Sequence, residues 1–113
     1  MEPTEPVPPR FVTVSPFTVN IQGGDYYEHR LLYTGLTIEV GDEQTQELLE
    51  QNMPQLRSRL LMLLSSKKAT ELTTPQGKQV LTQDILALFN EPFVDNQPSL
   101  AVNDVFYTDF IVQ

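Results

Sequence analysis

The sequence predicts an α+β domain: a small antiparallel sheet with two main helices packed on one of its faces, in the order ββααβ. Three observations carry that prediction. Two stretches near the N-terminus, 11–22 and 27–40, place apolar side chains at every second residue, the period of a half-buried strand. Two stretches in the middle place Leu, Met and Ile three and four residues apart, the period of a helix face. The last eleven residues, Asn103 to Gln113, are again dense in β-branched and aromatic side chains, which favour strands. Helices segregated to one face of an antiparallel sheet define the class.

Residues 1–10, MEPTEPVPPR, hold four prolines and two glutamates. They have little to bury and read as an extended linker or disordered tail. Residues 11–113 then form a single domain. In the first strand, Phe17, Val19 and Ile21 share one face. Pro16 cannot donate to a ladder, so an edge position or a bulge is expected there. Gln22-Gly23-Gly24-Asp25 is a turn signal, because glycine reaches positive φ cheaply. In the second strand Leu32, Leu36, Ile38 and Val40 lie on one face with Thr34 among them. The two strands make a hairpin, with Tyr26 and Tyr27 near its tip.

Gly41-Asp42 ends the second strand. A helix is expected from Glu43 to Leu64, with Leu49, Met53, Leu56, Leu60 and Leu63 forming its stripe. Pro54 removes one helical hydrogen bond and collides with the carbonyl four residues back, so a kink or break is expected near Gln51 to Met53. Thr74 is a good N-cap and Pro75 suits the first helical position. The second helix runs from there to about Phe89, and Asn90-Glu91-Pro92 stops it. A loop containing Pro92 and Pro98 leads to the last strand. That strand holds apolar groups on both faces, among them Val105, Phe106, Tyr107, Phe110, Ile111 and Val112. It is therefore expected inside the sheet, covered by helices on one side and by more protein on the other.

At 113 residues the chain buries roughly two thirds of its unfolded surface, enough for one core without staples. It has no cysteine, so disulfides and thiolate chemistry are excluded. The net charge of −8 repels phosphate backbones and anionic headgroups and argues against nucleic-acid binding. No run reaches the roughly 18 to 20 apolar residues that span a bilayer. The N-terminus lacks the features of a signal peptide. As written, the chain is expected to be soluble, or the soluble part of something anchored.

Little in the chain suits catalysis. His29 is the only histidine, so no histidine pair or triad can form within one chain, and a solvated strand residue is expected. Asp104 and Asp109 are acids of the last strand, and acid pairs can do general acid–base work. Their spacing of five, however, puts them on opposite faces of a regular strand. Gly23-Gly24 and Gly77-Lys78 lack the strand–loop–helix setting of a phosphate loop. No cofactor, metal or small-molecule substrate is expected.

The charge pattern is more informative. Glu39, Asp42, Glu43, Glu47 and Glu50 gather around the start of the first helix. Arg57, Arg59, Lys67 and Lys68 gather toward its end. Dipole complementation accounts for such a pattern at about 0.3 to 1 kcal/mol per charge. A head-to-tail contact between copies accounts for it equally, and repetition of that contact closes a ring.

Four segments carry a resemblance to a known family. They are SPFTVNI at 15–21, YTGLTIEV at 33–40, PQLRSRLLMLLSSKKATEL with TPQGK across 54–78, and VFYTDFIVQ at 105–113. In this order and spacing the chain resembles the periplasmic domain of the FliL family, flagellar basal-body-associated proteins. The resemblance implies a stomatin/prohibitin (SPFH)-like fold and no catalytic residues. It implies a short cytoplasmic segment and one inner-membrane helix ahead of the domain, with the spacer holding the domain in the periplasm. It also implies ring-like self-association around flagellar stator units, contact with other basal-body components, and effects on torque, swimming and swarming. The rivals are a general SPFH-like membrane scaffold not tied to flagella, and a small hydrolase built on Asp104 or Asp109.

Overall fold

The structure, a computed structural model, describes residues 8–23 and 29–113. β1 (Arg10–Gln22), β2 (His29–Val40) and β3 (Val102–Val112) form an antiparallel sheet in the order β1-β2-β3. Between β2 and β3 lie α1 (Glu43–Gln51), α2 (Met53–Ser65), α3 (Ala69–Leu72), α4 (Pro75–Ala87) and a 3-10 turn at Leu88–Asn90. The helices cover one face of the sheet. Gly24, Asp25, Tyr26, Tyr27 and Glu28, which include the expected hairpin turn and tip, lie outside the described residues, as do residues 1–7.

The inner face of the sheet carries Val12, Val14, Phe17, Val19 and Ile21 from β1, and Leu32, Leu36, Ile38 and Val40 from β2, all buried. They meet Leu49 of α1, the Leu56–Leu60–Leu64 stripe of α2, and Leu81 and Ile85 of α4. Burial of this apolar surface drives the two layers together.

The expected bulge at Pro16 is present, and β1 is an edge strand. The register shifts between Val14 and Phe17, so inward positions switch from even to odd numbers and the apolar face stays inward. A second bulge lies in the same row on the other side of β2. Asp109 pairs with Gly35 and Tyr107 with Leu36, which leaves Thr108 without a partner residue. The backbone approaches closely here. A Cβ on Gly35 would sit 2.6 Å from Thr108 Oγ1 and 3.4 Å from Pro16 Cγ. The buried Thr34 hydroxyl donates to the Asp109 carbonyl at 2.7 Å, which pins the bulge and satisfies a polar group that water cannot reach.

The break expected near Gln51 to Met53 is present at Asn52 and divides the long helix into α1 and α2. Pro54 opens α2, while the Asn52 backbone N–H and side-chain Nδ2 both donate to the Leu48 carbonyl, at 3.1 and 2.8 Å, and close α1. The one-turn α3 was not expected from the sequence. The last strand, moreover, is an edge rather than an interior strand. Only Val105 of β3 is buried, and Phe106 and Ile111 stand exposed on the face away from the helices. The start of α4 follows the sequence: Thr74 Oγ1 accepts from Gly77 N–H at 3.0 Å and Pro75 sits in the first turn.

Candidate docking surface

The acidic residues singled out by the sequence divide into three settings. Glu39 projects from the outward face of β2, in register between Phe11 and Asp104. Asp42 is the N-cap of α1 and accepts from Thr45 N–H at 2.7 Å. Hydrogen bonds from the Thr45 side chain and backbone hold its carboxyl below the usual carboxylate range. Glu43, Glu47 and Glu50 are exposed on α1. Their spacing of four and three residues puts them on one side of the helix. The break at Asn52 changes their meaning. Glu50 now stands in the last turn of α1, where the helix dipole disfavours an anion. Dipole complementation therefore covers Asp42 and Glu43 but not Glu50.

The basic residues turn out differently. Arg57 Nη1 donates to the Ser15 carbonyl at 2.7 Å, and its Cζ lies 4.1 Å from the centre of the Phe17 ring. It binds the bulge of β1 to α2. Arg59 donates to the Glu91 and Pro92 carbonyls at 2.8 Å each and lies 4.1 Å over the Phe93 ring. It staples the loop after α4 to α2. Lys67 pairs with Asp84 at 2.5 Å. Lys68 is exposed and precedes α3. Three of the four bases thus act within the fold, which the sequence pattern did not reveal.

Arg59→Ala is expected to lower stability by about 1.5 to 3 kcal/mol, the scale for hydrogen bonds made by a charged group. Urea unfolding measures it. Arg59→Lys recovers only part of the loss, because a single ammonium cannot reach two carbonyls from a planar fork.

Asp104 and Asp109 are also placed differently from expectation. The bulge at Thr108 shifts the alternation, so both residues point outward from the same face. They pair with Glu39 and Gly35, four residues apart on β2, or about 13 Å along a strand. That exceeds the roughly 5 to 9.5 Å at which carboxylate pairs work on a glycosidic bond. His29 is exposed at the start of β2, as expected. Among the described residues no group of three or more His, Cys, Asp or Glu is placed to hold a metal. An open cleft of about 380 Å³ beside Phe89, Gln97 and Leu100 has no titratable side chain in its lining.

Tyr107 is a half-buried titratable group of β3. Its hydroxyl lies 2.8 Å from Thr82 Oγ1, which itself donates to the Lys78 carbonyl at 3.0 Å. Burial pushes the phenol above its usual value. The Thr82 hydroxyl opposes this, and the charge of Asp84 adds to it. A raised folded-state value means stability that is complete below the unfolded value near pH ~10 and is lost as pH rises through the folded value. Wild-type stability should therefore fall as pH rises above about 10. In Tyr107→Phe that part of the fall should vanish, as read by thermal melts at pH 8 to 11.

What sequence reasoning missed is the outward face of the sheet. Phe11, Leu31, Tyr33, Phe106 and Ile111 are exposed there, and Phe11 and Phe106 meet edge to face with ring centres 6.4 Å apart. The signal was present as alternation in β2, where Leu31 and Tyr33 interleave with Leu32 and Thr34. It could not be assigned to a solvent face without the strand order.

A two-layer domain with an apolar open sheet face and a one-sided acidic helix has the surfaces of a docking module. Residues 11–113 match the family described as flagellar basal body-associated protein FliL. The chain is 40% identical over 105 residues to the flagellar protein FliL of Escherichia coli and equally to that of Shigella flexneri. These alignments cover 93% of this chain and 66% of each relative. The flagellar protein FliL of Aquifex aeolicus is 26% identical over 98 residues, covering 87% of this chain and 57% of the relative. The chain belongs to the FliL family. That family is described as flagellar basal body-associated. The chain spans about two thirds of the length of its Escherichia coli relative, and no helix among its described residues is long and apolar enough to cross a membrane.

Proposed function

We propose that this domain lies in the periplasm, tethered by residues 1–10 to a single inner-membrane helix of the whole protein. There it self-associates into a ring-like collar around the stator units and supports or activates them, contacting other basal-body components and affecting torque, swimming and swarming. The match to the FliL family over residues 11–113 carries this reading. Helices on one face of a small antiparallel sheet are compatible with an SPFH-like fold, which we include in the proposal.

In this reading the free charges guide assembly rather than hold it. Glu39, Asp42, Glu43, Glu47 and Glu50 present one sign, and Lys68 with the arginine-bearing side of α2 presents the other. Such complementarity speeds encounter and sets register more than it adds affinity. Tethering supplies the effective concentration that a weak contact needs.

The test is deletion of the gene from its native host. Swimming and swarming in agar should shrink and recover with the full-length protein. Unchanged motility under load would refute the reading. Reversing Glu43, Glu47 and Glu50 to lysine should weaken amine crosslinking of the tethered protein and flatten its dependence on salt. An unaltered crosslinking pattern removes the charges from the account.

A further inference from the structure

We propose that, within the self-association put forward above and resting on it, the helix-free face of the sheet of one copy packs across the outward side of α2 of the next copy. Most of the exposed large apolar side chains collect on two opposite surfaces of the domain, Val80 of α4 and Val94 of the loop after it standing apart. Phe11, Leu31, Tyr33, Phe106 and Ile111 lie on the open sheet face. Leu61 and Met62 lie on α2, and Met62, at 71% exposure, stands opposite the buried Leu56–Leu60–Leu64 stripe.

The two surfaces are complementary in charge. The described outward positions of the sheet carry Glu39, Asp104 and Asp109 and no lysine or arginine. Residues 53–70 carry Arg57, Arg59, Lys67 and Lys68 and no acid. Lys67 is neutralised by Asp84. Arg57 and Arg59 are held by neutral carbonyls, so their charge is not cancelled within the protomer.

This charge distribution also decides against the symmetric alternative. Stacking two open sheet faces about a two-fold axis would set the three acids of one copy against the same acids of the other. Packing on α2 sets them beside the arginines instead.

Size agrees as well. Three strands of 11 to 13 residues make a face roughly 40 Å by 14 Å, and the thirteen residues of α2 run for about 20 Å. A helix laid obliquely on that face, with the flanking loops, approaches the roughly 800 Å² per partner of a standard interface. Because the two surfaces belong to opposite layers of one domain, the contact is heterologous and propagates from copy to copy.

The chain has no cysteine, so introduced pairs report directly. The experiment uses the full-length membrane-anchored protein in cells, with Thr37→Cys and Met62→Cys as its only cysteines, and oxidative crosslinking. Thr37 faces outward between Thr13 and Phe106. The double variant should give a ladder of dimers, trimers and higher species, and each single variant should give monomer. Dimers from Thr37→Cys alone would overturn the proposal in favour of two-fold stacking. A ladder from Glu47→Cys with Lys68→Cys, and none from the first pair, would overturn it in favour of an end-to-end contact. A ladder with an amine crosslinker but with neither pair would overturn it while leaving self-association intact. No ladder with any reagent would overturn self-association itself. Phe106→Asp should reduce the amine-crosslinked ladder at least fivefold at a temperature where its melting curve shows the domain still folded, and an undiminished ladder counts against the proposal.

Discussion

Gly77→Ala is expected to destabilise the domain by about 3 kcal/mol, although alanine is the better helix former. In an exposed helix the exchange would stabilise by roughly 0.5 to 1 kcal/mol. Here the sign reverses for a steric reason. Gly77 lies in the first turn of α4, where the chain doubles back from α3. A Cβ on Gly77 would fall 1.4 Å from the Glu71 carbonyl oxygen and 2.5 Å from its carbon. Those are backbone atoms, so no rotamer change relieves the collision. Glu71 is fixed by its neighbours, because Ala69 and Leu72 are buried in the core. Either α3 shifts and opens the core, or the first turn of α4 unwinds and gives up the bond from Gly77 N–H to Thr74 Oγ1. Urea unfolding measures the loss, with Gln79→Ala on the exposed side of the same helix as a control expected within about 0.5 kcal/mol of wild type. A raised midpoint for Gly77→Ala would show that α3 and α4 are not packed as described.

The residues at that turn also show what a sequence can and cannot convey. Thr74 and Pro75 announce a helix start by local chemistry, and the start is where they put it. The bulge at Pro16 was legible for the same reason: proline lacks a donor, and the apolar positions change parity across it. The bulge at Thr108 was not legible. Val105, Phe106 and Tyr107 are consecutive apolar residues, so no parity exists to be broken. The error propagated, since counting through the missing bulge put Asp104 and Asp109 on opposite faces, while the apolar groups on both faces of β3 put that strand in the interior. The arginines show a different limit. Arg57 meets Ser15 across 42 positions and Arg59 meets Glu91 across 32. Their partners are backbone carbonyls, which every residue type supplies equally. Composition marked them as a basic patch, and only the fold makes them clamps. The candidate docking surface was half legible: the acids of α1 were visible as a cluster, whereas the open sheet face depended on strand order.

Leu60→Ala should cost about 4 kcal/mol. Leu60 is fully buried at the centre of the α2 stripe, between Leu56 and Leu64, and truncation leaves a cavity between helix and sheet. A domain of this size has roughly 5 to 15 kcal/mol in total, so the variant would sit near the edge of folding. Two residues on, Met62 projects to solvent, and Met62→Ala should leave the isolated domain within about 0.5 kcal/mol of wild type. The pair separates stability from docking. Leu60→Ala should lower motility by reducing the amount of folded protein, and a lower growth temperature should restore it. Met62→Ala should keep the protein level and lose motility only to the extent that α2 is a contact between copies. Equal protein levels and equal melting curves for the two variants would mean that α2 does not pack on the sheet through Leu60, and with it the assignment of the two sides of this helix would fail.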